Sequence, residues 1–364
     1  MVVLVSVLSL CSCNYLKKAQ AQVPQPDFSR SVEKRTRNLT PQPPSLKGKG
    51  ENLKPLSLQE RGLERGLTDP VKSKEPQQMR PPTPASVLPP QPSVRDLSTP
   101  QTYKIETYNS EVMQGSRSYG VALPPGYNQN PNQRYPVIFL LHGGHGNADH
   151  WFAKGDALTI LQQLYATGKL PPSIVITPDG NDKRGSSPYW DPDYIDGPNG
   201  KVSTAIGDEL VKVVKARYRT IPNPAFWAIG GQSSGGWGAM NVGLHYLNRF
   251  RVLFSHSGYF QDKSGPQNSP ITYIKTIPPQ AKKRLRVYLD TGLADTEIGL
   301  DEAKKFSQVL TTEKIYNMFY QFPGGHTWDY WHEHLADSLT FVGRQFKVSA
   351  MIAHTTDNLG FEKP

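Results

Sequence analysis

Ile229-Gly230-Gly231-Gln232-Ser233-Ser234-Gly235-Gly236 closes a segment, Ala225 to Ile229, that reads as a strand and opens one, to Leu247, that reads as a helix. Gly231 and Gly235 stand two residues before and two after Ser233. That spacing is the G-x-S-x-G turn, in which a sharp strand-to-helix corner strains the serine backbone and exposes its hydroxyl as a nucleophile. The glycines have a steric reason: strand and helix approach so closely at the corner that neither neighbour can carry a Cβ. Ser234 lacks a glycine at minus two in its own frame.

Outward from this corner the chain alternates strand and helix. Tyr103 to Tyr108 and Arg117 to Leu123 read as strands, the second ending in the turn cluster Pro124-Pro125-Gly126-Tyr127. Pro136 to Leu141 is a continuous apolar run, as expected of a strand buried on both faces of a mostly parallel sheet. A helix near Ala157 to Ala166, a strand Ser173 to Thr177 and a helix near Ala205 to Tyr218 lead to the corner. Beyond it come strands Val252 to His256 and Leu285 to Asp290, a helix Asp301 to Leu310, a strand Tyr316 to Phe322, and a last helix from Trp328 to Phe346. The pattern predicts an α/β fold, a mostly parallel central sheet with helices on both faces, and reactive groups in loops past the carboxyl ends of the strands.

This domain is expected over residues 103–348, with a short tail at 349–364. Ahead of it the composition changes: of the 36 aromatic residues only Tyr15 and Phe28 fall within residues 1–100. Proline clusters such as Pro81-Pro82-Thr83-Pro84 block helix and sheet there, so residues 22–102 are expected to form a disordered, extended linker. The same hundred residues hold 15 Lys+Arg and 8 Asp+Glu, so +7 of the net +10 sits in residues 1–100 and +3 in the rest. Basic residues scattered among Pro, Gln and Ser, with no basic folded face, argue against a nucleic-acid-binding domain. Val2 to Leu10 reads as the apolar core of an export leader spanning 1–21. Two processing patterns compete. Ala19-Gln20-Ala21 suits cleavage after Ala21; Leu10-Cys11-Ser12-Cys13 suits lipidation of Cys13 and a membrane tether. A secreted, periplasmic or lipoprotein location is expected. Cys11 and Cys13 are the only cysteines, so the domain holds neither a disulfide nor a thiolate metal site.

A serine hydroxyl needs a base, and on this type of corner the acid and histidine follow in chain order. His326, in Gly324-Gly325-His326-Thr327-Trp328 between a strand and the last helix, is the best placed of the six later histidines. Asp295 lies just past a strand end and is the expected orienting acid; Asp290, still within the strand, is the alternative. An oxyanion produced by serine attack needs preorganised N–H donors. Ser234 should offer one, and the loop Leu141-His142-Gly143-Gly144-His145-Gly146 the other, through Gly144 or, next, His145. Trp151, Tyr189, Trp190, Tyr194 and Trp328 are candidates for a stacking surface, with Trp151, Trp190 and Trp328 taken as substrate-binding. His142, His145, Asp149 and His150 match no metal-ligand spacing.

With these residues in hand, residues 104 to about 347 resemble the “Putative esterase” family of the α/β-hydrolase superfamily, which includes feruloyl and acetyl xylan esterases, S-formylglutathione hydrolase, enterochelin esterase and mycolyltransferases. The similar stretches are Tyr119 to Tyr127, Tyr135 to Gly143, Glu209-Leu210 running to Tyr218-Arg219-Thr220, the corner, Asp295, and Gly325-His326. The resemblance implies a triad of Ser233, Asp295 and His326, no metal or organic cofactor, and cleavage of a carboxylic ester, such as a sugar or aromatic acyl ester, through an acyl-enzyme. Its alternatives are acyl transfer of the mycolyltransferase type and a non-catalytic envelope- or carbohydrate-binding module. Two departures bear on specificity: Ser234 stands where many members have Met, and the loop Asp179 to Gly200 is long and rich in Asp, Trp and Tyr.

Overall fold

A computed structural model describes residues 87–358. The expected leader and the linker up to residue 86 lie outside the described residues. Ten strands are formed among the described residues: β1 (Tyr103–Ser110), β2 (Gly115–Ala122), β3 (Val137–Leu141), β4 (Ile174–Pro178), β5 (Asp196–Gly197), β6 (Gly200–Lys201), β7 (Trp227–Gln232), β8 (Val252–His256), β9 (Arg286–Gly292) and β10 (Tyr316–Phe322). Eight of them make one sheet in the order β1-β2-β4-β3-β7-β8-β9-β10, while β5 and β6 form a separate hairpin. The β1/β2 and β2/β4 pairs are antiparallel; all the other pairs of the large sheet are parallel.

Strand β3 shows why the sheet is layered. All five of its side chains are buried; Val137, Phe139 and Leu141 enter one core and Ile138 and Leu140 the other. A strand's side chains alternate between faces, so an all-apolar strand can sit only where both faces are covered. One cover comes from helices Val211–Arg217, Ser234–His245 and Asp301–Thr312, the other from Ala157–Ala166 and Trp328–Asn358. Each such burial contributes about 1.5–3 kcal/mol, which makes this interior the anchor of the fold. Because β4 lies on one side of β3 and β7 on the other, the chain reverses its direction of growth at β3, and the loops following β3 and β7 open side by side.

Both domain boundaries differ from expectation. The ordered region begins ahead of Tyr103: Val87, Leu88 and Leu97 pack on the second core, and Gln162 Nε2 donates to Leu97 O at 2.6 Å. A short helix, Val94–Ser98, is held by a reciprocal capping box between Ser93 and Asp96. Proline density masked these few apolar anchors. At the other end the last helix runs on from Phe346 to Asn358, since no proline or capping glycine stops it. The expected helix over Ala205 to Tyr218 is two pieces: a wide turn Ala205–Leu210 and a regular helix Val211–Arg217.

Candidate active site

Ser233 occupies the corner between β7 and helix Ser234–His245 with φ 54° and ψ −128°, a region costly for any residue with a side chain. Neighbouring backbone over-determines it. Its N–H donates to His256 O on β8 at 2.9 Å, and its carbonyl accepts from Gly236 N–H and Trp237 N–H at 2.9 and 3.1 Å. The flanking glycines are sterically required: a Cβ on Gly231 would fall 2.5 Å from Gly235 O, and one on Gly235 2.5 Å from Leu141 O. Backbone cannot yield as a side chain would, so the β7 corner fits against the end of β3 only without those methyl groups.

From the turn after β10, His326 reaches over this corner. Its Nε2 lies 2.9 Å from Ser233 Oγ and its Nδ1 2.9 Å from Asp295 Oδ2. Asp295, in the loop after β9, is buried, and its other oxygen accepts the Ile298 N–H at 3.2 Å. Burial pushes the carboxyl pKa up, but hydrogen bonds from His326, Ile298 N–H and Ser257 outweigh it and hold the acid below its ordinary value. The edge of the Trp331 ring meets His326, centroids 5.0 Å apart and planes at 88°. Exposed Glu297 stands 3.7 Å from His326 Nε2 on the open side. Trp331, Ser257 and Glu297 were not anticipated. Trp331, five residues after His326 at the start of a helix, was the one with a readable signal.

Asp290 is engaged elsewhere. Fully buried in β9, it takes His256 Nδ1 at 2.7 Å and the Tyr330 hydroxyl at 3.0 Å, while His256 Nε2 meets Ser338 Oγ at 3.0 Å. Two Asp–His pairs thus lie on and just past one strand, one beneath the sheet end and one at its surface.

The register of β3 on β7 pairs Leu141 with Gly231, which sets the loop His142–Gly146 beside Ser233 and Ser234. Ser234 is the first residue of its helix, so its N–H has no intrahelical acceptor. Among the described residues no protein acceptor takes the N–H of Gly144 or His145 either. His145 adopts φ 58°, and its Nδ1 meets Ser187 O at 2.5 Å. Three free N–H groups at two adjacent strand ends are the material of an anion-stabilising pocket. The histidines and acid of that loop serve as supports. His142 Nε2 accepts Gly180 N–H at 2.9 Å, Asp149 accepts the Tyr103 hydroxyl, and His150 meets Trp328 edge-on.

The aromatic candidates divide. Trp151 is fully buried with its Nε1–H donating to Leu141 O at 2.9 Å, and Trp328 is wedged edge-on against Trp151 and Trp331. Trp151 is a packing residue, contrary to its expected stacking role, and Tyr194 is likewise buried, while Trp328 packs against the second core and stays half-buried. Trp190 and the exposed Tyr189 do reach open space. With His145 and Tyr259 they line a cavity of about 490 Å³, into which Asp191, Asp193 and Asp262 also project. The Arg184 guanidinium lies over the Trp190 ring at 5.3 Å and pairs with Asp182 and Asp193, both at 2.6 Å.

The family described as “Putative esterase” matches residues 110–342. An uncharacterized protein of Corynebacterium glutamicum is 22% identical over 242 residues, 61% of this chain and 56% of that one. An endo-1,4-beta-xylanase/feruloyl esterase of Xylanibacter ruminicola is 30% identical over 199 residues, 52% of this chain and 24% of its own length. Among solved structures, a ferulic acid esterase superposes with a TM-score of 0.62 at 27% identity, covering 68% of this chain and 98% of that one. The chain therefore spans about half the first of these relatives and about a quarter of the second.

Proposed function

We propose, from the premise that the chain belongs to the “Putative esterase” family of the α/β-hydrolase superfamily, that it hydrolyses a carboxylic ester through an acyl-enzyme on Ser233. The observation that carries this reading is the hydrogen-bonded series Asp295–His326–Ser233, with 2.9 Å at each link. In the first half-reaction Ser233 Oγ attacks the acyl carbon while His326 Nε2 takes the hydroxyl proton. The tetrahedral oxyanion is met by the N–H of Ser234 and of Gly144 or His145, each donor being worth about 2.7–4 kcal/mol in comparable sites. His326 then returns the proton to the leaving alcohol. Water, deprotonated by the same imidazole, attacks the acyl-enzyme and releases the acid and free Ser233.

Asp295 keeps Nδ1 protonated and offsets the charge that the imidazole gains. Trp190, Tyr189 and Tyr259 beside His145 suit an aromatic acyl group or a sugar ring, in keeping with the feruloyl and ferulic acid esters named for two relatives. The apolar run Val2 to Leu10 supports export, through a cleaved leader or a lipidated Cys13.

A fluorophosphonate probe tests the nucleophile: labelling should map to Ser233 and vanish in Ser233→Ala. A panel of acetyl, butyryl, feruloyl and long-chain esters, with and without an added alcohol, then reads the acyl preference. Ester products in the presence of alcohol would assign acyl transfer in place of hydrolysis. An unlabelled protein inert on the whole panel would overturn the enzymatic reading in favour of a binding module.

A further inference from the structure

The sheet has two edges, and they are built differently. At β1 the exposed edge carries Lys104 and Glu106, and Arg217 Nη1 donates to Thr107 O at 3.0 Å. Charges and a capped carbonyl are the ordinary protection of a sheet edge against pairing with another chain. At β10 the edge reads Tyr316-Asn317-Met318-Phe319-Tyr320-Gln321-Phe322, seven residues with no charge and no proline, pairing in regular register with β9. Among the described residues no strand lies on its outer side.

Which backbone groups face outward follows from one bond. Leu293 N–H donates to Phe322 O at 2.7 Å, so Phe322 turns its peptide groups toward β9. Orientation alternates along a strand; Tyr316, Met318 and Tyr320 therefore also face β9, and Asn317, Phe319 and Gln321 present N–H and C=O to the outside.

We propose that this edge pairs with β10 of a second copy, antiparallel about a two-fold axis at Phe319, making one continuous sheet across a homodimer. The sequence is chemically palindromic about Phe319: aromatic Tyr316 falls opposite Phe322, amide Asn317 opposite Gln321, and Met318 opposite Tyr320. Each pairing is favourable across an antiparallel ladder. The same register places Phe319 opposite Phe319 and Asn317 opposite Gln321 as hydrogen-bonded pairs, so every outward N–H and C=O of both strands is used, about six bonds in all. Registers shifted by two residues leave some of these groups unpaired. Charges agree with the antiparallel arrangement. Lys314 precedes β10, and the acidic start of the neighbouring helix, Asp301 and Glu302, follows Leu300, whose carbonyl takes Gln321 Nε2 at 3.4 Å near the strand's other end. The two-fold brings these opposite ends together, as an isologous interface requires.

The test is sedimentation velocity on the full chain across about 1 to about 100 µM, the range in which a modest interface dissociates. Wild type should shift from monomer to dimer. Gln321→Pro removes one outward N–H and no bond to β9, and should weaken dimerisation about tenfold or more with little change in Tm. Gln321→Thr keeps the N–H and should dimerise as wild type does. Asn317→Lys with Gln321→Lys sets like charges opposite each other and should be monomeric. Asn317→Lys with Gln321→Glu places opposite charges there and should dimerise again. A wild type that stays monomeric at the highest concentration, or a Gln321→Pro protein that dimerises unchanged, would overturn the proposal.

Discussion

Replacing Asp295 with Asn preserves size and shape and changes only what each terminal atom can donate or accept. In the native side chain Oδ1 accepts from Ile298 N–H and Oδ2 faces His326 Nδ1. An amide has one oxygen. The backbone N–H of Ile298 cannot move or change its role, so the amide oxygen stays with it and the NH2 turns toward His326. Two donors would then face each other unless the imidazole shifts its proton to Nε2, leaving Nδ1 as an acceptor. Nε2 stands 2.9 Å from Ser233 Oγ, and a protonated Nε2 can no longer receive the serine proton. The loss expected for a wrong tautomer together with an unbalanced imidazolium is about 10⁴ in kcat, which is about 5.5 kcal/mol of barrier. Steady-state hydrolysis of p-nitrophenyl acetate reads it, with circular dichroism to confirm that the variant is folded. A folded Asp295→Asn protein retaining more than a tenth of wild-type kcat would refute the reasoning, because it would mean that His326 needs no acid on its far side.

Asp290→Asn should behave oppositely, losing about 3–5 kcal/mol of stability from a broken buried pair with His256 while kcat on the folded fraction changes little; urea titration and kinetics separate the two. Ser233→Ala should abolish turnover and Ser234→Ala retain most of it, since alanine keeps the N–H of residue 234; equal losses would show the frame to be wrong. Asp295 titrates below its ordinary value when folded, so its contribution to stability is complete above the unfolded carboxylate pKa and is lost as pH falls through the folded one. Asp295→Asn should accordingly flatten the acid limb of a Tm-against-pH curve. A chain beginning at residue 87 should melt like the full protein, whereas one beginning at Gln101 should melt several degrees lower, having lost Val87, Leu88 and Leu97 from the second core.

Much of this molecule is legible before any coordinates, for reasons that are local. The strand–Ser233–helix corner announces itself because its glycines are demanded by contacts within a few residues and with one neighbouring strand. The all-apolar Val137 to Leu141 could belong only to an interior strand. His326 stands out because two glycines precede it in a turn. The choice between Asp290 and Asp295 was less accessible. Both lie around the same strand end, and what separates them is that His256, distant in sequence, takes Asp290. Trp151 and Trp190 looked alike for a similar reason: an aromatic residue near a strand end reads the same whether it packs beneath the loop or opens to solvent. The ordered stretch 87–102 is concealed by composition, since the adjacent Val87 and Leu88, Leu97 nine residues on and a capping box offset a proline content that otherwise excludes structure.

The long terminal helix bears on where His326 can sit. Its 31 residues extend about 46 Å and begin at Trp328, two residues after the imidazole. Ser338 ties it to His256, Trp331 to Ser257, and at Gly343 it lies so close to the chain at Lys169 and Leu170 that a methyl group would overlap the Lys169 carbonyl. The helix is thus pinned at three places, two of them between Gly343 and the imidazole. A methyl group at Gly343 pushes against backbone, which cannot yield as a side chain would, so the strain must be met at the next ties along the helix, Ser338 on His256 and Trp331 on Ser257. Sensitivity of catalysis to substitution should therefore not decay smoothly with distance from Ser233. It should rise again at Gly343, where Ala loads the contacts that seat the start of the helix beside His326.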